Sequence, residues 1–145
     1  MTTALRVLVV DDDDDIRDLL CIALTAKGFQ PVCVGRGLMA LWQYHDALSK
    51  GQAFDVLIMD VALPDISGFT IGQIVRLLEQ TSTNVPRACH IYHSAHAELV
   101  NQERLLAVKA DAYVEKASAT ADDILAVVVS ACVSTAVTAT LPTDA

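Results

Sequence analysis

Short apolar runs alternate along this chain with stretches whose apolar positions recur at helical spacing. Leu5 to Val10 is apolar enough, Arg6 aside, for a strand covered on both faces. Ile16, Leu19, Leu20, Ala23 and Leu24 then follow the spacing of a helix packed on one side. Asp14 and Asp15 lie at its positive end, and Lys27-Gly28 closes it. Phe29 to Val34 reads as a second strand, which Pro31 places at an edge. Leu38, Leu41, Trp42, His45 and Leu48 give the next helix its inner face, and Phe54 to Met59 is a third strand. Ile71, Ile74, Val75 and Leu78 mark a third helix, and Ala88 to His93 a fourth strand. The following helix, over about 97–108, is weakly periodic, with Leu99 and Leu106 its clearest inward pair. Ala112 to Glu115 is a short fifth strand; Thr120-x-x-Asp123 has the form of a capping box and opens a last helix running to about Thr135.

Strands alternating with helices in this way predict an α/β fold, a doubly wound five-stranded parallel sheet with helices on both faces. The pattern shows no internal repeat and no linker. It predicts one domain over residues 1–135, followed by a Thr/Ala-rich tail over 136–145 expected to fray.

Composition narrows the function classes. No apolar run reaches the ~18–20 residues of a membrane span, and Ala4 to Val10 is too short for the core of a secretory signal. A cytoplasmic protein without membrane insertion is the expectation. A formal net charge of −8 argues against direct contact with a nucleic-acid backbone. Cys21, Cys33, Cys89 and Cys132 form no Cys-x-x-Cys pair, so they are expected as separate buried thiols rather than disulfides or zinc ligands.

In open parallel sheets, ligands collect at the carboxyl ends of the strands. Asp11 and Asp12 end the first strand, Asp60 the third, Ser94 the fourth and Lys116 the fifth. One cleft would thus receive carboxylates, a hydroxyl and an ammonium. The block Asp11 to Asp15 is not a calcium loop of the EF-hand type, because Ile16 and Ile22 stand where that loop needs glycine and a bidentate carboxylate. Asp13 to Asp15 read as a solvated acidic segment.

Five motifs in this order resemble the receiver domains of two-component response regulators, the chemotaxis regulators among them. They are Val9-Val10-Asp11-Asp12, Leu57-Ile58-Met59-Asp60, Leu63-Pro64-Asp65-Ile66-Ser67-Gly68, Ser94-Ala95, and Ala110 to Lys116. The resemblance spans about residues 4–135. It implies a flavodoxin-like (βα)5 fold with strand order 2-1-3-4-5. It also implies that Asp60 accepts a phosphoryl group from a sensor histidine kinase or a histidine phosphotransfer protein. Mg²⁺ (or Mn²⁺) would be held by Asp12, Asp60 and the backbone carbonyl of Ala62, with Asp11 acting mainly through water. Lys116 would neutralise a phosphoryl oxygen, Ser94 and Tyr113 would switch, and Ala62 and His96 would tune hydrolysis. Such a chain is not an enzyme beyond assisting its own phosphorylation and dephosphorylation.

Elementary chemistry agrees with these roles. A carboxylate can attack phosphorus, Mg²⁺ takes one or two carboxylates with phosphate oxygens and waters, and a lysine supplies a point charge. Two alternatives differ in kind. A degenerate receiver would serve as a binding scaffold without phosphorylation. A phosphatase of the haloacid dehalogenase type needs a second aspartate where Ala62 stands.

The chain departs from the family pattern in several places. Ala117 replaces a proline whose bond is normally cis, Lys109 replaces a glycine, and Ser67 replaces an Asp or Asn. His90 and His93 are expected as packing or surface residues. A second apolar stripe on the last helix (Leu125, Val129, Cys132, Val133) suggests a downstream-partner or self-association face on the fourth and fifth helices.

Overall fold

At the centre of the sheet, β1 (Arg6–Val10) lies between β2 (Gln30–Val34) and β3 (Val56–Asp60), all parallel. β4 (Cys89–Ser94) follows β3, and β5 (Ala112–Glu115) closes the sheet, giving the order β2-β1-β3-β4-β5. These relationships come from a computed structural model that describes residues 4–116 and 119–133. Pro31 sits on the edge strand, where its missing N–H costs no ladder bond.

Alternate residues of β1 and β3 face two separate cores. Leu8, Val10, Leu57 and Met59 pack beneath α2 (Gly37–Ser49) and α3 (Gly68–Thr81). Val7, Val9, Val56 and Ile58 pack beneath α1 (Asp14–Ala26) and α5 (Ala121–Val128). Both faces of the central strands are therefore dry, which is why they read as continuous apolar runs.

The inner faces of the helices match the spacing in part: Ile16, Leu20, Ala23, Leu24, Leu41, Leu48, Ile71 and Val75 pack inward, and other positions do not. α2 buries Gly37, Ala40, Tyr44 and Ala47, while Leu38 and Trp42 are 62% and 60% exposed and His45 also faces outward. Three of these four are small and Tyr44 fills the core between them, so the face is set by fit rather than by the bulk of Leu38 and Trp42. Leu19 on α1 is likewise exposed, and α3 uses Phe69, Ile71 and Val75 rather than Ile74 or Leu78. The weak fourth helix resolves into a 3-10 turn, Ala97–Leu99, and a short α4 (Gln102–Ala107). Leu99 and Leu106 point outward there; Val100, Leu105 and Val108 make the inward contact instead.

α5 opens with the expected capping box of Thr120 and Asp123 and continues as a π-helical turn, Val129–Val133. Its proposed outer stripe is mostly absorbed within the fold. Leu125 is buried and Cys132 is bonded to Cys89, which leaves Val129 as the exposed member among those whose side chains are described. The cysteines, expected as separate thiols, are paired: Cys21–Cys33 joins α1 to β2, and Cys89–Cys132 joins β4 to the π-helical turn. Sequence spacing hides these pairs because each forms across a helix–sheet contact. The Lys116–Ala117 bond, the helix end at Thr135 and the tail lie outside the described residues.

Candidate functional site

The carboxyl ends of β1, β3, β4 and β5 converge as expected. Asp11 is fully buried, and its backbone N–H donates to Val34 O at 3.1 Å, which carries the sheet one residue past β1. Its Oδ1 accepts the N–H of Asp13 at 2.8 Å, turning the chain into α1. Asp13 then caps that helix, accepting from Asp15 and Ile16. Three of the block's aspartates thus have separate duties: Asp11 faces inward, Asp12 is exposed, and Asp13 is a cap rather than solvated filler.

Asp60, the last residue of β3, is 3% exposed. Its Oδ1 accepts the N–H of Ala62 at 3.0 Å. The ammonium of Lys116, just past β5, lies 2.8 Å from Asp60 Oδ2 and 2.7 Å from Asp11 Oδ2. Burial, opposed by the lysine, pushes the Asp60 carboxyl up to about 6 and raises Asp11 as well. Burial alone would lower Lys116, but its hydrogen bonds to Asp11 and Asp60 outweigh this and raise it. The site is a compact two-carboxylate, one-ammonium cluster.

Ligand atoms of Asp11, Asp12 and Asp60 lie within 4.8 Å of one another. An all-oxygen, anionic donor set of this size fits a hard divalent cation. Ala62, which follows by two residues, is partly buried at the rim.

Ser94 ends β4 fully buried, and its Oγ accepts the N–H of His96 at 2.9 Å. His96 is exposed and pairs with Glu98 at 3.4 Å. Tyr113 packs against the α2/α3 core with its hydroxyl buried and unpartnered, rather than wet at the strand edge. His90 and His93, expected as packing or surface residues, are both fully buried in β4.

Three features that support the site escaped sequence reasoning. The carboxylate of Asp65 accepts the N–H groups of Gly37 and Leu38, each at 2.9 Å, and so caps α2 from a distant loop. These bonds hold its pKa low. Gly68 lies directly on the backbone carbonyl of Asp60, where a Cβ would collide with the oxygen. Arg76, buried in α3, donates to the carbonyls of Ala88, Val108 and Lys109 and to Glu79 and Asp111. It thereby fixes the approach to β5, including Lys109, which takes the left-handed φ of 50° that favours glycine. The sequence signals were the motif Leu63 to Gly68, which holds Asp65 and Gly68 without showing what they touch, and Lys109 as a departure from glycine.

Residues 7–129 match the model of the response regulator receiver domain, and the chain belongs to that family. It is 30% identical over 116 residues to the regulatory protein AtoC of Escherichia coli, covering 80% of this chain and 23% of that protein. It is 34% identical over 113 residues to the transcriptional regulatory protein YrkP of Bacillus subtilis, covering 78% and 43%. The chain therefore spans less than half the length of these relatives. Among solved structures it resembles the chemotaxis response regulator CheY4 of Vibrio cholerae, with TM-score 0.69, 25% identity, and 86% and 95% of the two chains covered. It also resembles the response regulator TrrA of Thermotoga maritima in complex with Mg²⁺-BeF, with TM-score 0.68, 28% identity, and 84% and 94% covered. The flavodoxin-like fold and membership in two-component signalling follow. No described helix is long and apolar enough to cross a membrane.

Proposed function

We propose that this chain is a phosphoacceptor switch in which Asp60 takes a phosphoryl group from a phosphohistidine of a sensor kinase or phosphotransfer protein, in the cytoplasm. One observation carries the reading above others: a buried carboxylate at the end of β3, tied to a lysine and set within a cation-sized carboxylate cluster. A carboxylate oxygen of Asp60 attacks phosphorus, the donor's P–N bond breaks, and an acyl phosphate forms.

Asp12, Asp60 and the carbonyl of Ala62 would hold Mg²⁺ or Mn²⁺, with Asp11 acting mainly through water. The cation supplies charge neutralisation for the incoming phosphoryl oxygens and the carboxylates. Lys116 moves from the carboxylates to a phosphoryl oxygen, exchanging one ion pair for another. Ser94 Oγ turns from the N–H of His96 to donate to a phosphoryl oxygen, and Tyr113 fills the space behind it. Ala62 and His96 bound the path by which water reaches the acyl phosphate and so set its lifetime.

The signal leaves through the face of α4 and α5, read by a downstream protein. α4 is short and has no buried residue of its own, so its position is cheap to change. The receiver unit is taken as residues 1–135, and its chemistry is confined to its own phosphorylation and dephosphorylation.

The reading is tested by incubating the chain with Mg²⁺ and a small phosphodonor such as acetyl phosphate. The expected product is a base-labile adduct of one phosphoryl group, absent from Asp60→Asn and from samples in chelator. A wild-type chain that forms no adduct supports a binding scaffold instead. Rapid turnover of unrelated phosphoesters supports an enzyme.

A further inference from the structure

His93 is a polar residue at a position built for an apolar one. It stands on β4 in register with Asp60, and its carbonyl accepts the N–H of Val61 at 3.0 Å, so its backbone is fixed. The face of β4 that carries it also carries Cys89 and Ile91, both within the apolar core beneath α1 and α5. Its side chain is fully buried, and neither ring nitrogen makes a hydrogen bond. Polar atoms left unpartnered in a dry site are costly, and a valine or leucine would avoid that cost.

Among the described residues, the nearest polar partner of the imidazole is the Asp11 carboxylate. His93 Nε2 lies 3.5 Å from Asp11 Oδ2, on the oxygen that Lys116 also approaches at 2.7 Å. The separation exceeds a hydrogen bond by about half an ångström, so a small shift would close it. The ring lies in an apolar core, and the oxygen it faces already carries the ammonium of Lys116, surroundings that disfavour a second positive charge there. A neutral imidazole has one N–H and one lone pair, and a carboxylate can only accept. The facing carboxylate therefore favours the tautomer with its proton on Nε2.

We propose that His93 is a positioning residue of the phosphoacceptor site, whose Nε2–H takes over Asp11 Oδ2 when Lys116 leaves it for a phosphoryl oxygen. The inference rests on the reading of Asp60 as phosphoacceptor. In the structure one ammonium serves two buried carboxylates. Once that ammonium turns to a phosphoryl group, Asp11 keeps the water through which it acts on the cation but its buried Oδ2 loses its direct donor, which is unfavourable. Among the described residues, His93 is a donor within reach. It would thereby keep the Asp11 carboxylate aimed at the cation, as outer partners of metal-binding carboxylates do.

Two measurements on the full chain test this. ¹⁵N–¹H spectra of the imidazoles, assigned with His93→Gln, report the tautomer with and without Mg²⁺ plus beryllofluoride, a phosphoryl mimic. The Nε2–H form is expected in both states, with the Nε2 proton moving downfield and exchanging more slowly once the mimic is bound. An Nδ1–H tautomer, or an Nε2 proton indifferent to the mimic, overturns the proposal. Separately, the apparent Mg²⁺ affinity in beryllofluoride is expected to fall about tenfold in His93→Leu. That variant should be at least as thermally stable as wild type, and His93→Gln, which retains an N–H donor, should recover most of the affinity. Wild-type affinity in the leucine variant overturns the proposal, and the tautomer decides the matter alone if that variant does not fold. Wild-type adduct formation on Asp60 is scored independently: its absence defeats the phosphoacceptor reading, whereas its presence with an indifferent His93 defeats only this one.

Discussion

Lys116 Nζ stands 2.8 Å from Asp60 Oδ2, so the cation that neutralises the site is supplied by the chain itself. The same ammonium reaches Asp11, and both carboxylates are almost fully buried. Replacing Lys116 by Met leaves two buried carboxylates facing one another with no cation. In chelator, denaturant unfolding is expected to show a loss of about 3 kcal/mol. Adding Mg²⁺ should recover most of it and raise the midpoint of the variant more than that of wild type. A loss unaffected by Mg²⁺ would show that the carboxylates do not share a cation site.

Gly68 is held against the Asp60 carbonyl oxygen at the start of α3, and the obstacle there is backbone rather than a movable side chain. Gly68→Ala must push α3 off the end of β3. The expected cost is about 1–3 kcal/mol, read as a lowered unfolding midpoint with unchanged slope. Phosphorylation of Asp60 should slow as well, because its backbone is the surface displaced. A variant with wild-type stability would contradict the contact.

Lys109 occupies a left-handed conformation at φ 50°. A side chain there costs about 1–2 kcal/mol, while glycine costs more in chain entropy. The balance predicts that Lys109→Gly stabilises the fold by about 0.5–1 kcal/mol. Lys109→Ala, which keeps a Cβ, should not. Equal stabilities for the glycine and alanine variants would contradict this account of the turn.

Glu79 provides the clearest pH signature. Burial would raise its pKa, but the imidazole of His90 at 3.4 Å and hydrogen bonds from the Ala88 N–H and Arg76 outweigh that and lower it from 4.5 to about 2. Because the folded pKa is the lower one, the stabilisation is fully present above pH 4.5 and is lost as pH falls toward 2. Glu79→Gln should therefore cost about 2–3 kcal/mol at pH 7 and progressively less through that window. Parallel stability curves for wild type and variant from pH 7 to 2.5 would refute the assignment.

Much of the fold was legible because the central strands are dry on both sides. The runs around Val7–Val10 and Val56–Met59, alternating with helical periods, read as buried parallel strands, and their ends pointed to Asp11 and Asp60. Ser94 and Lys116 came from the same logic applied to β4 and β5. What stayed hidden depends on fit between distant segments. The inner face of α2 follows Ala40, Tyr44 and Ala47, a small–large–small set whose fit to the core excludes Leu38 and Trp42. The Arg76 clamp, the Asp65 cap and the cysteine pairs each join segments remote in sequence, and no local pattern marks them. His93 looked like packing because its sequence neighbours are strand residues; only the register of β4 against β3 brings it beside Asp11.

The central claim concerns a single oxygen–phosphorus bond at Asp60, and chemical trapping reads it directly. The chain is phosphorylated with a small donor and Mg²⁺, reduced at once with borohydride, digested, and mapped by mass spectrometry. An acyl phosphate at Asp60 is converted to homoserine, so the account predicts homoserine at position 60 and at no other aspartate. Homoserine at Asp11 or Asp12, or none under conditions that phosphorylate a known receiver, would contradict it.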